Sequence, residues 1–419
     1  MAPKYGFLNA VKKMNKTAAE IYDVKEDYTR FPQQMHMALQ PKWNPDYEHL
    51  EKKFIPNRRK YITEGKEGFS IRDYAYNIGA ASILNVTNFP MHDPDQSGNS
   101  WAPLTNGPFT LETKWEASPE EITLTAKAAA LDYGADKVGV ANLDRRWVYS
   151  SWFDSETKTS YPIRFSDEPG YEDIKIPTKM PDNTRVIPKE MKYVIVMIHE
   201  MDYDGINTGP TLTEVAATRL AYSRIAYSAI SLAECIRALG YNAIPSSNDT
   251  AANIPLAIDA GLGELGRNAK LITPWYGPRA RISKVITDMP LIPDQPITFG
   301  VKEFCLVCKK CADTCPPKAI PTNGPNYEPQ GDYSNAGVCQ WNLKHDKCRA
   351  YWASTGTNCG LCISNCPFNK VNSIIHEVPR WTALNLPFLN RIWIKLDDLL
   401  GYGKSMSNKR FWQKKGKNN

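Results

Sequence analysis

The chain lacks what a membrane-crossing or secreted form would carry. Across its 419 residues no apolar run approaches the roughly 18 that a bilayer-spanning helix needs. The start, Met1-Ala2-Pro3-Lys4-Tyr5, has none of the apolar stretch of a secretory signal, so a mature form is the expectation. Charge of one sign is scarce too. Against 51 Lys and Arg stand 45 Asp and Glu, and the resulting +6 is too dispersed to argue for a nucleic-acid partner. The one basic run, Lys404 to Lys417, reads as a solvated terminus, with contact to anionic lipid or a partner as the sharper alternative. Nor is this a disulfide scaffold. Such scaffolds are short, whereas a chain this long with 42% hydrophobic residues, 11 Trp and 21 Tyr builds its own core. The length argues for about three domains.

What is present is a dense block of cysteines. Cys305-Leu-Val-Cys308-Lys-Lys-Cys311-Ala-Asp-Thr-Cys315-Pro316 reads C-x2-C-x2-C-x3-C-P, and Cys359-Gly-Leu-Cys362-Ile-Ser-Asn-Cys366-Pro367 follows it. In the first pattern three close cysteines hold one iron–sulfur cube and the fourth crosses to a second. The spacing assigns Cys305, Cys308, Cys311 and the crossing Cys366 to one [4Fe-4S] cluster. The second block is incomplete, since a full repeat would want cysteine at Gly356. Cys359, Cys362 and the crossing Cys315 give three thiolates, and the fourth comes from Cys348 or Cys339, with Cys348, nearer in the chain, favoured. Pairs of the form C-x2-C also bind zinc. The triple run suits a cube better than a tetrahedral ion. Cys235 lies in an apolar helical pattern and reads as inert core.

Residues 1–115 are polar, Pro-rich and aromatic, with turn signals at Asp93-Pro94 and Asn106-Gly107, and read as a loosely helical unit wrapped over the rest. Ser118-Pro119-Glu120-Glu121 then predicts a capped helix that ends at Gly134. Strands are expected at Lys137 to Ala141, at the uninterrupted Tyr193 to Ile198, and at Arg281 to Ile286. Between them fall helices over Thr213 to Leu239 and Ala251 to Ala260. In the first of these Tyr222 shares an inward stripe with Ile225, Ala229, Leu232 and Ile236. Helices alternating with buried strands predict an α/β layered core over 116–300. The cysteine domain over 301–372 and a C-terminal clamp with a basic tail over 373–419 complete the division.

Gly261-Leu-Gly263-Glu-Leu-Gly266 matches the G-x-G-x-x-G of dinucleotide sites, but helix precedes it and strand follows, the reverse of what phosphate binding at a helix N-terminus requires. The glycines still allow close backbone approach, which a bulky cofactor or a plain tight turn would use. Two cubes in one short domain make an electron relay, and a relay needs a terminal acceptor. None of the six histidines follows an Asp by two residues, so the cobalamin motif D-x-H-x-x-G is absent and any bound corrinoid would be base-off.

The cysteine domain resembles that of the corrinoid/iron–sulfur reductive dehalogenases. So do Leu220-Ala-Tyr222-Ser-Arg224, Tyr241-Asn-Ala-Ile-Pro245-Ser-Ser-Asn248, Ala260-Gly-Leu-Gly263 and Ile272-Thr-Pro-Trp-Tyr-Gly277-Pro-Arg-Ala-Arg281. Asp144-Arg-Arg-Trp-Val-Tyr149 and Phe299-Gly-Val-Lys-Glu-Phe-Cys305 are similar as well, and the likeness covers about residues 118–372. It implies a vitamin-B12-binding core related to the nitroreductase fold, followed by a ferredoxin-like domain with two [4Fe-4S] clusters. By position it implies Tyr222 as proton donor, Arg281 beside it, and Asn248 as the polar partner that places the substrate. It further implies corrinoid contacts from Tyr241, Ile244, Pro245, Ser246, Gly263, Thr273 and Pro274. The chemistry is coherent, because a phenol is a reluctant acid and an adjacent guanidinium favours its phenolate. Tyr222 by itself reads equally as an interior tyrosine with a satisfied hydroxyl. Trp352 is a candidate pocket wall, with ordinary packing as the alternative. The implied activity is reductive dehalogenation of a small chlorinated aliphatic, a chloroalkane such as trichloromethane or a chloroethene. The partners implied are a low-potential electron donor, a small membrane-anchor protein and a second copy in a homodimer. The implied location is the outer face of the cytoplasmic membrane, after twin-arginine export. The rival readings are a tRNA-modifying enzyme like epoxyqueuosine reductase, and a non-catalytic iron–sulfur electron carrier.

Overall fold

The computed structural model describes residues 10–87, 89, 101, 114–371 and 374–417. The turn pairs expected at Asp93-Pro94 and Asn106-Gly107 lie outside these. At the centre is a four-stranded sheet of β1 (Lys137–Asn142), β2 (Tyr193–Glu200), β3 (Ala243–Ser246) and β4 (Ala280–Thr287). The order is β1-β2-β4-β3 and every pair is antiparallel. The unbroken apolar run of β2 is explained by cover on both faces. Period two sends Ile195 and Met197 into one cluster and Val194, Val196 and Ile198 into another. The first face packs against α1 (Pro119–Asp132) and α2 (Leu212–Ala238). The second packs against α3 (Asn253–Asp259) and a second small sheet. That sheet runs Ser151–Asp154, Thr159–Phe165, Arg185–Ile187, Thr178–Lys179, and the sequence reading did not anticipate it. Mixed helix and sheet content is the α/β class expected.

The local signals act as their chemistry predicts. Ser118 Oγ accepts from the Glu121 amide at 3.2 Å, Pro119 opens α1, and Gly134 follows it at φ +93°. In α2 the buried positions include Tyr222, Ile225, Ala229, Leu232 and Ile236. Cys235 is half-buried beside Tyr133 rather than in the core. The N-terminal segment includes a 19-residue helix, Pro45–Thr63. Ahead of that helix the segment touches the α/β core through Arg30, whose guanidinium donates to the carbonyls of Val148, Tyr149 and Ile163. It touches the cysteine domain through Asn57 and Arg58, which donate to Ala353 O and Gly356 O.

The basic run is not a solvated terminus. Asn408–Lys417 is a helix whose Phe411 is buried, with Trp412 Nε1 donating to Asp73 Oδ1 at 2.7 Å. Lys414 and Lys415 pair with Asp204 and Asp202 at 2.7 and 2.6 Å. Amphipathic spacing of Phe411 against the lysines gave the helix a face to dock, which net charge alone does not reveal.

The G-x-G-x-x-G stretch forms a hairpin of Glu264–Leu265 with Leu271–Ile272. A Cβ on Gly263 would stand 2.3 Å from the Ile272 carbonyl oxygen, so glycine there is a packing requirement. Glu264 reaches from this hairpin to the segment before α4 (Val301–Val307), the helix that carries Cys305. Its Oε1 accepts from the amides of Phe299 at 2.6 Å and Val301 at 3.3 Å, and its Oε2 from Thr298 Oγ1 at 3.1 Å. Burial pushes this carboxyl up to about 7. The folded chain then holds a proton that the unfolded chain has released, so this contribution to stability falls as pH rises from about 4.5 to about 7. Glu264→Gln keeps the amide contacts and loses the titration. Thermal unfolding of the variant should therefore drop less between pH 5 and pH 7.5 than that of the parent, a difference on the order of 2 kcal/mol. Equal drops would remove Glu264 from the account.

Candidate active site

Tyr222 lies on the sheet-facing side of α2 and is 7% exposed. Its hydroxyl oxygen accepts from Asn248 Nδ2 at 2.8 Å. Arg281, opposite His199 in the β2–β4 ladder, lays its guanidinium over the phenol ring, 5.1 Å from the centroid. The three residues expected to act together are therefore assembled from α2, the loop after β3, and β4. Asn248 is itself held: Asn253 Nδ2 donates to its Oδ1 at 2.9 Å, and Tyr149 Oη donates to its backbone oxygen at 3.3 Å.

Sequence reasoning missed two members of this group. Thr218, one helical turn before Tyr222, accepts from Arg281 Nη2 at 3.4 Å and donates to Glu214 Oε1 at 3.3 Å. Glu214 is buried, and burial pushes its carboxyl up to about 7 against the pull of Arg281. Among the described residues, Arg281 Nε, Glu214 Oε2 and Ser247 Oγ are buried polar atoms without a hydrogen-bond partner. Unpaired donors and acceptors beside a phenol are what a polar ligand would satisfy.

The cysteines fall into two sets. Cys305, Cys308, Cys311 and Cys366 line one small pocket together with Ile272, Phe304, Pro367 and Phe368. Burial raises the thiols of Cys305 and Cys308 to about 12 and about 11, and Cys311 higher still, with Cys366 and Cys305 adding to the rise. Sulfurs that oppose one another's ionisation point into a common volume, and a cationic cluster would reverse the penalty. The second set gathers Cys348, Cys359 and Cys362 near Cys315: after burial, Cys348 feels Cys362 and Cys315, and Cys359 feels Cys362 and Cys348. Cys339 stands apart, its amide donating to Tyr22 O at 3.0 Å and its thiol near Tyr327. Among the described residues no three His, Cys, Asp or Glu form a ready site for a single ion. Thiolate sulfur is the donor type an iron–sulfur cluster takes.

Two buried side chains bind this domain to the hairpin. The guanidinium of Arg267 donates to Cys305 O at 2.6 Å, Cys308 O at 3.1 Å, Pro321 O at 2.8 Å and Asn323 O at 2.7 Å. Asn268 Nδ2 donates to Cys362 O at 3.0 Å. Glu214 faces the second set: a Cβ on Gly360 would stand 3.0 Å from its Oε1. Glu214, which accepts from Thr218 below Arg281, thus links the Tyr222 group to the segment of the second set.

The positions expected to touch a corrinoid are spread more widely. Ile244, Pro245 and Ser246 form most of buried β3, and Ser246 Oγ donates to Asp249 O at 2.8 Å. Tyr241 Oη donates to Trp115 O at 2.8 Å. Thr273 Oγ1 accepts from the Tyr276 amide at 2.9 Å and donates to Gly277 O at 3.2 Å. Pro274 lines a mostly apolar cleft between Phe304, Phe368 and the C-terminal helices. Trp352 is half-buried on α5 (His345–Thr355), the helix of Cys348.

The site thus sets a buried phenol under a guanidinium on an α/β frame that also carries a cysteine-rich domain. No family model matches the chain. It is 38% identical over 367 residues to the tetrachloroethene reductive dehalogenase of Sulfurospirillum multivorans, covering 85% of this chain and 72% of the relative. It is 37% identical over 337 residues to that of Dehalobacter restrictus, covering 76% and 58%. In structure it is similar to a reductive dehalogenase described for B12-dependent dehalogenation, with TM-score 0.66, 20% identity, and coverage of 95% of this chain and 49% of that one. An epoxyqueuosine reductase of Lactococcus garvieae matches over 146 residues only, 30% of the chain. The chain belongs to the reductive dehalogenases, oxidoreductases that act on carbon–halogen bonds. It spans about half the length of the solved relative. No described helix is long and apolar enough to cross a membrane.

Proposed function

We propose that this chain removes chloride reductively from small chlorinated aliphatics, a chloroethene or a chloroalkane such as trichloromethane. The observation that carries this is the Tyr222 hydroxyl, accepting from Asn248 at 2.8 Å beneath the Arg281 guanidinium. In this reading the α/β core is a nitroreductase-like corrinoid domain over 116–300, and 301–372 is a ferredoxin-like electron entry. Cys305, Cys308, Cys311 and Cys366 hold the outer [4Fe-4S] cluster, and Cys315, Cys348, Cys359 and Cys362 the inner one. A base-off corrinoid, when bound, supplies a low-valent cobalt able to break a carbon–halogen bond.

The chain's own residues do the rest. The net change replaces halogen by hydrogen and consumes two electrons and a proton. Tyr222 Oη gives that proton to the carbon losing halide, and the Asn248 amide and Arg281 stabilise the phenolate left behind. Among the neighbouring groups His199 is no rival acid. Burial, then Arg224, lowers it to about 3, and its Nε2 sits between Ser228 and Ser283 hydroxyls at 3.2 and 3.1 Å. Electrons come from a low-potential donor. We place the protein on the outer face of the cytoplasmic membrane, beside a small anchor protein and as a homodimer, on family likeness alone.

The test is chloride release by anaerobically purified, corrinoid-loaded protein, driven by a reduced viologen, across a panel of chloroethenes, chloroalkanes and chlorophenols. Release from the aliphatics and not the phenols is expected. Release from phenols alone, or from none, would refute the substrate class.

A further inference from the structure

β4 carries a buried cation that the proposed reaction does not use. Lys284 is fully buried, and because it lies three residues after Arg281 in a strand it faces the opposite side of the sheet. Its ammonium has three N–H groups and three acceptors: Ser247 O at 2.7 Å, Asp249 O at 3.0 Å and Asn253 Oδ1 at 2.7 Å. The last contact begins a chain. Asn253 Nδ2 donates to Asn248 Oδ1 at 2.9 Å, and Asn248 Nδ2 donates to Tyr222 Oη at 2.8 Å. A line of hydrogen bonds thus runs from one face of the sheet, around its edge, to the phenol on the other.

The direction of that line matters. Each carboxamide has a donor end and an acceptor end, and two in series run equally well either way. Lysine has donors only, so it fixes Asn253 with oxygen toward itself, and Asn253 then fixes Asn248 with nitrogen toward Tyr222. The phenol becomes an acceptor toward the protein, and its own proton is left for the site. In the reverse direction Tyr222 would donate to Asn248, and that proton would be tied up.

We propose that Lys284 is a positioning residue which, through Asn253 and Asn248, sets the hydrogen-bond direction that keeps the Tyr222 proton available. The inference rests on Tyr222 as the proton donor of the proposed reaction. The charged and titratable groups around the line are few. Asp249 faces Lys284, with its carboxylate taken up by the Ser247 amide at 2.8 Å and Thr250 Oγ1 at 2.9 Å. Tyr149 holds the Asn248 carbonyl, and Arg281, backed by Glu214, covers the phenol.

Asn253→Asp separates direction from structure. A carboxylate beside Lys284 adds an ion pair, so the melting temperature should hold or rise. Yet a carboxylate only accepts, so it turns the Asn248 amide nitrogen toward itself and leaves Asn248 Oδ1 facing the phenol. The C–O stretch of the Tyr222 phenol, isolated by subtracting the spectrum of Tyr222→Phe protein, should move from acceptor-only to donor character. In the same variant kcat should fall about tenfold or more with KM unchanged. Lys284→Met, a shape-matched change without a donor, removes the bias without imposing the reverse, so its spectrum should show a mixture of both forms rather than the parent's single one. An unshifted stretch in Asn253→Asp would overturn the inference whatever the enzyme's reaction. A shifted stretch with unaltered kcat would leave the direction as drawn and refute its catalytic importance.

Discussion

Tyr222→Phe is expected to lower turnover by about 10²- to 10⁴-fold while leaving fold, iron content and corrinoid binding intact. The change removes one oxygen from a side chain whose ring is already packed on the sheet, between α2 and Arg281. What it costs structurally is the hydrogen bond from Asn248, about 1 kcal/mol, because that amide loses its acceptor. What it costs chemically is the acid at the position where the carbon must be protonated. No other titratable group named here can take over, since His199 is held neutral by burial and Glu214 lies behind Arg281 on the cysteine side. Rate retained in Tyr222→Phe would remove the phenol from the chemistry, whereas a lost rate with lost cofactor would mark it as structural.

Cys348→Ala should halve the iron content and abolish viologen-driven turnover, and Cys339→Ala should do neither. Cys348 opens toward Cys315 and Cys362 from α5, and its thiol is pushed up to about 12 by burial and by those sulfurs. Four thiolates are needed for a complete cube, and Cys348 is the fourth sulfur proposed for the set with Cys315, Cys359 and Cys362. With this set proposed as the inner one, its loss would cut the path between the outer cluster and the site. Cys339 has its amide tied to Tyr22 and its thiol beside Tyr327, away from both sets. Iron analysis with the two variants exchanging these outcomes would reverse the assignment.

Much of the frame was legible because it rests on periodicity and caps. The helix expected over Thr213 to Leu239 is Leu212–Ala238, and the strand expected over Arg281 to Ile286 is Ala280–Thr287. Helices and strands of this length carry their pattern many times over. The second sheet was not legible, since its strands are short and interrupted by polar residues and two of them have only two or three residues. The buried charges were hidden for another reason. In a strand a lone polar residue usually marks the solvent face, but β4 is covered on both sides, so Lys284 gave no sign of being interior. Glu264 was read as part of a glycine turn and Arg267 after it went unremarked, while the turn's role is to send both into the cysteine domain. Only long-range contacts separate those two meanings.

The claim beneath all of this is that eight thiolates hold two iron cubes in line with a corrinoid beside Tyr222. Iron, acid-labile sulfide and cobalt should be measured together on anaerobically isolated, corrinoid-loaded protein. The account predicts iron and sulfide in equal amounts, enough for two cubes per chain, with a single cobalt. Zinc in place of iron, or a chain that retains no cobalt, would contradict it.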